Sequence, residues 1–103
     1  MRYARARKDV NHAAIVAGLR AAGVSVVELH AVGGGVPDLL CGFRGWDALL
    51  EVKRPGWAKV TGPRQAATFA RQRAFAEGWR GHQVTRVESL DEALAACGVR
   101  VAV

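Results

Sequence analysis

Two apolar runs, Leu39-Leu40-Cys41-Gly42-Phe43 and Trp46-Asp47-Ala48-Leu49-Leu50, are separated by Arg44-Gly45 alone. Apolar runs with so short a break fold back on each other as a β-hairpin. The hairpin then dictates who faces whom beyond it. With the turn centred on Arg44-Gly45, Asp38 falls directly opposite Glu51, and opposed residues share a face with Cβ atoms about 4.5–5.5 Å apart. Side chains alternate along a strand, so Lys53 joins Glu51 on that face while Val52 points the other way. A turn slipped by one residue destroys the arrangement. Taken singly, Pro37-Asp38 is a common turn dipeptide and Glu51-Val52-Lys53 an ordinary ionic strand end. The hairpin joins them into one constellation of two carboxylates and an ammonium.

That constellation suits phosphodiester hydrolysis. Attack on a phosphodiester builds negative charge on oxygens that are already anionic, and a divalent cation offsets it while acidifying a bound water. Magnesium takes oxygen ligands and keeps several waters, so two carboxylates suffice to anchor it. Asp38 and Glu51 are the candidate ligands, and the backbone carbonyl of Val52 offers a third oxygen. Lys53 is placed to orient the attacking water or to stabilise the pentavalent phosphate. The overall charge agrees: 15 Lys and Arg against 9 Asp and Glu give +6, which favours a polyanionic partner such as nucleic acid.

A chain of 103 residues, half of them hydrophobic, supports one domain with a modest core, residues 1–103. Met1–Lys8, with Arg2, Arg5, Arg7 and Lys8, reads as a basic arm able to lie along phosphates. Asp9 caps a helix to about Ala22, stopped by Gly23. Val24–Leu29 is rich in β-branched residues and reads as a strand. Gly33-Gly34-Gly35 is a turn without the Lys-Ser/Thr ending of a phosphate-binding loop. The hairpin strands, Val36–Phe43 and Trp46–Lys53, are apolar on both faces, which implies a sheet covered on both sides. Thr61 caps a second helix running to about Glu77, His82–Val87 forms a strand, and Ser89 with Glu92 makes a capping box for a short helix through Ala96. Val99–Val103 is a candidate edge strand. The order is αβββαβ followed by a short helix, an α/β fold with a mixed central sheet flanked by helices. On the second helix Arg64, Arg71 and Phe75 share a stripe, with the arginines able to track a DNA backbone. Cys41 and Cys97 show no metal-ligand spacing, which excludes a zinc finger and fits a reducing, intracellular setting. The apolar stretch Ala13–Leu29 is interrupted by Arg20, Gly23 and Glu28, so neither a membrane span nor a membrane partner is expected.

Gly35-Val36-Pro37-Asp38 followed by Glu51-Val52-Lys53 resembles the signature of the PD-(D/E)XK nuclease superfamily. Asn11–Gly23, His30–Leu40, Leu49–Lys53, Thr61–Gln65 and Val84–Leu94 are similar to its VRR-NUC branch of stand-alone, phage-type proteins. The resemblance implies a restriction-endonuclease-like core and Mg²⁺- or Mn²⁺-dependent endodeoxyribonuclease activity, in a homodimer acting on branched DNA such as Holliday junctions. It also implies a cytoplasmic location, in a bacterium or a phage-infected host cell. A nuclease or nickase acting on duplex or flap DNA, and a catalytically degenerate basic DNA-binding module, are the alternatives. By position, Asp38 and Glu51 would be metal ligands, Lys53 the catalytic lysine, and Gln65 the glutamine on the helix after the hairpin. Relatives carry an acid on the first helix where this chain has Asn11, His12 and Ala14. Asn11 can instead hold a metal-bound water through its amide oxygen.

Overall fold

The turn at Arg44-Gly45 forms as the sequence requires. Arg44 and Gly45 both take positive φ, +52° and +80°, the backbone a two-residue hairpin needs to match the twist of its strands. The turn joins β2 (Leu39–Phe43) to β3 (Trp46–Val52) in the register Leu39 with Leu50 through Phe43 with Trp46. β1 (Ser25–Glu28) adds antiparallel to β2, and β4 (Thr85–Val87) adds parallel to β3, giving a mixed four-stranded sheet in the order β1-β2-β3-β4. A parallel neighbour cannot be reached by a tight turn. The chain therefore crosses from β3 to β4 through a 3₁₀ turn, Trp57–Lys59, and α2 (Pro63–Gly78). α1 (Arg2–Ala21) precedes the sheet and α3 (Leu90–Ala96) follows it. This computed structural model describes the backbone of residues 2–100 and the side chains of residues 11–100.

The two faces of the sheet are unequal. Leu39, Cys41, Ala48, Leu50, Val52 and Val87 project to one face and are buried, packing on Ile15, Val16 and Leu19 of α1 and on Ala93 and Leu94 of α3. Leu39, Leu50 and Val87 are completely buried. Fully burying a side chain of that size contributes about 1.5–3 kcal/mol. Cys41 and Cys97 meet inside this core as free thiols. The contact with Cys97, with burial adding to it, pushes the Cys41 thiol far up, and the same contact draws Cys97 down against the opposing effect of its own burial. The opposite face meets α2, which has no fully buried residue. Its cover is incomplete: the cross-strand neighbours Val27 and Leu40 remain 53 % and 38 % exposed. The expectation of a sheet covered on both sides therefore holds for one face and for only part of the other.

Several boundaries move. α1 begins at Arg2, so Asp9 is inside the helix and Arg2–Lys8 of the expected arm is helical, while Met1 lies outside the described residues. Gly62, at φ +121°, takes the N-cap of α2 in place of Thr61, and no side chain caps that helix. β4 is shorter than the expected His82–Val87. Ser89 caps α3 as expected, its hydroxyl accepting from Glu92 N–H at 3.1 Å; the Glu92 carboxylate reaches one residue further back, accepting from Glu88 N–H at 2.7 Å. Val99 and Arg100 form no strand, and the rest of that expected strand lies outside the described residues. Among the described residues no helix is long and apolar enough to cross a membrane.

Candidate active site

The site begins where the β2–β3 ladder is forced to stop. The observed pairing ends at Leu39–Leu50; continued one step it would set Asp38 against Glu51, and one step further Pro37 against Val52. Pro37 is buried and has no N–H to give to the Val52 carbonyl. The Val52 N–H is taken instead by the Asp38 carboxylate, Oδ2, at 2.8 Å. On its other side Asp38 is fixed through its carbonyl, which accepts from Leu29 N–H at 2.7 Å. Proline, backbone and carboxylate together lock Asp38 at the hairpin end.

Glu51, only 6 % exposed, is a charged group held inside the fold, a placement that demands close partners. The Lys53 ammonium lies 3.9 Å from its Oε2. Gln72 of α2 bridges the pair, donating from Nε2 to Glu51 Oε2 at 3.2 Å and accepting from Lys53 Nζ at 2.7 Å. A carboxylate can only accept and an ammonium can only donate, so the bridge fixes which way the Gln72 amide points. Aromatic rings close the outer side. Lys53 Nζ sits 4.7 Å from the ring centre of Phe69 and 5.4 Å from that of Trp57, and these rings meet edge to face. Such contacts favour a cation. Trp57 is itself held by a hydrogen bond from Nε1 to Glu88 Oε2 at 3.1 Å and by Arg86 across its ring at 4.9 Å.

Glu51, Lys53 and Gln72 line a cavity of about 460 Å³ that Arg73 and Arg86 also border. Asp38 does not line it; its carboxylate is half-buried and turned to the Val52 N–H. The donor types suit a hard cation: the Asp38 carboxylate just ahead of β2 and the Glu51 carboxylate on β3, with the Val52 carbonyl lacking a partner at position 37.

The other expected residues divide. Asn11 reaches the end of β3, where its amide nitrogen lies 3.4 Å from the Lys53 carbonyl. Gln65 lies two helical turns before Gln72 and borders a smaller pocket with Lys53, Trp57 and Phe69. Gln72, not Gln65, makes the hydrogen bonds to Glu51 and Lys53. The signal that could have found it is the half-buried stripe Gln65, Phe69, Gln72 at helical spacing. Arg64 and Arg71 are exposed, and Arg71 contacts Thr68 Oγ1 at 3.4 Å. Phe75 is not on their solvent face; it stacks on Trp79 with centroids 5.4 Å apart. Trp79 itself stays 47 % exposed. Trp46 stacks on His82 at 3.8 Å. The side chains of Arg5, Arg7 and Lys8 lie outside the described residues. No protein-family model, no curated protein and no solved structure matches the chain.

Proposed function

We propose that this chain is a divalent-metal-dependent endodeoxyribonuclease of the PD-(D/E)XK type, with a restriction-endonuclease-like core, acting inside the cell on branched DNA as a homodimer. The observation that carries the proposal is the convergence of Asp38, Glu51 and Lys53 at one end of the β2–β3 hairpin, with Gln72 joining the last two. Asp38, Glu51 and the Val52 carbonyl would hold Mg²⁺ or Mn²⁺, and Asn11 is close enough to the end of β3 to support a water there. When bound, such an ion would offset charge on the scissile phosphate and acidify a water.

The protein's own groups do the rest. Lys53, fixed by Gln72 and by its aromatic walls, directs positive charge into the cavity, where it would stabilise the developing charge of the pentavalent phosphate. Gln72 keeps that ammonium and the Glu51 carboxylate in register. Arg73 and Arg86 at the cavity, Arg64 and Arg71 on the exposed side of α2, and the net charge of +6 would draw the phosphate backbone in. A two-fold dimer would present two such sites to a two-fold symmetric junction. The exposed Val27–Leu40 pair offers apolar surface for that association.

The test is cleavage of a four-way junction and a matched linear duplex with Mg²⁺ or Mn²⁺, by the wild type and by Asp38→Asn. The junction should be cut in preference, and the variant should lose about 100-fold or more, the usual loss when a key electrostatic group is removed. Equal cutting of both substrates refutes the junction preference and leaves a duplex or flap nuclease. Equal activity of the variant refutes the metal site. DNA binding with no cleavage under either metal identifies a degenerate binding module.

A further inference from the structure

The sheet end that carries Asp38 and Glu51 bears a second cluster on its other face, one that the nuclease chemistry leaves unused. His12, Glu28 and His30 each offer one ligand atom, and these atoms lie within 4.8 Å of one another. They come from three separate segments: His12 from α1, Glu28 from the last position of β1, and His30 from the turn that follows. His12 Nε2 is 3.0 Å from Glu28 Oε1. The imidazoles of His12 and His30 meet edge-on, with centroids 5.8 Å apart at 84°. Register sets the face. Glu28 pairs with Leu39, whose side chain enters the core beneath α1, whereas Asp38, the next residue back along the chain, alternates to the opposite face.

We infer that His12, Glu28 and His30 form a second cation site, suited to a transition ion of the zinc class and separate from the oxygen-donor site on the other face. Two imidazoles and one carboxylate are the donors such ions select, and they are poor for Mg²⁺, which prefers oxygen alone. Ligand atoms around a tetrahedral zinc at its usual bond lengths lie about 3.3 Å apart. The His12–Glu28 separation of 3.0 Å is already close to that. His30, on an exposed turn, has only a short distance to close. An exposed His–Glu pair is worth little by itself and does not require a second imidazole aimed at the same point. Because Glu28 and His30 are solvent-exposed, the fourth position is open to water or to an external ligand atom. A bound ion would tie α1 to the end of β1 and to the segment leading into Gly33-Gly34-Gly35. The inference does not depend on the nuclease assignment.

The test is a titration of the tag-free, metal-stripped full chain with Co²⁺, followed by its visible absorption, and with Zn²⁺, followed by calorimetry and thermal melting. The comparison set is the wild type, Asp38→Asn/Glu51→Gln, His12→Ala, His30→Ala and His82→Ala. The expected result is a saturable site with a four- or five-coordinate cobalt spectrum and a raised Tm, present alike in the wild type, the double carboxylate variant and His82→Ala. Removing even an outer partner of a metal ligand commonly weakens binding about 10–100-fold. Removing a direct ligand, in His12→Ala or His30→Ala, should therefore weaken it by about 100-fold or more. Absence of saturable binding to the wild type overturns the proposal. So does binding that survives in both His12→Ala and His30→Ala, or that is lost with Asp38→Asn/Glu51→Gln.

Discussion

Gly35→Ala is the substitution that most directly probes how α2 is seated over the site. Gly35 has φ +84°, and a Cβ built there would collide with the carbonyl oxygen of Arg71, lie 2.5 Å from its carbonyl carbon and 3.0 Å from the Gln72 nitrogen. These are backbone atoms of a helix and cannot rotate aside. Gly34, one residue earlier, has φ +67° but open space around the same hypothetical atom. Both alanines incur the left-handed backbone cost of about 1–2 kcal/mol. Only Gly35→Ala adds an overpacking cost of about 1–3 kcal/mol. With a urea m-value of about 1–1.5 kcal/mol/M for so short a chain, its unfolding midpoint should lie about 0.7–3 M below that of Gly34→Ala. The assay is equilibrium urea unfolding by circular dichroism, with Trp fluorescence followed in parallel because Trp57 packs against Phe69 and Lys53. Equal stability of the two variants, to within about 0.5 kcal/mol, would show that α2 does not rest on the glycine loop, and the reasoning would fail.

Gln72→Ala should lower nuclease activity and cost about 1–3 kcal/mol in unfolding free energy, because it strips hydrogen bonds from the buried Glu51 and from Lys53. Gln65→Ala, measured in the same assays, should cost less than about 0.5 kcal/mol and leave more activity. Leu50→Ala empties a fully buried position between the sheet and its helices and should destabilise by about 2–5 kcal/mol in urea unfolding, whereas Leu40→Ala, 38 % exposed, should fall well short of that. Ser89→Ala removes the side-chain acceptor for Glu92 N–H and should cost about 1 kcal/mol, read as a fall in Tm of several degrees.

The hairpin and everything that depends on its integer geometry were legible in the sequence. A two-residue turn fixes the register, and a period of two fixes the faces. The arrival of Asp38 at the Glu51 end of β3, the placement of Lys53 beside Glu51 and the turning of Val52 to the other face therefore follow from Arg44-Gly45 alone. The capping of α3 by Ser89 was legible for the same reason, being a contact across three residues. The helix ends that were misplaced lacked such local control. α1 continues through Asp9 to Arg2, and Gly62 rather than Thr61 precedes α2, because a cap residue marks only where a helix is permitted to begin.

Only the tertiary structure decided which glutamine serves the site. Gln65 and Gln72 are seven residues apart and fall on nearly the same stripe of α2, so periodicity treats them alike. What separates them is where along its axis α2 lies in crossing from β3 to β4, with the Arg71 backbone close against Gly35. The meeting of His12 with Glu28 and His30 is of the same kind, since it depends on how α1 lies across the sheet. Short-range backbone geometry gave the carboxylates and the lysine their places from sequence alone. The groups that surround them were placed by helix docking, which depends on packing between segments distant in the chain.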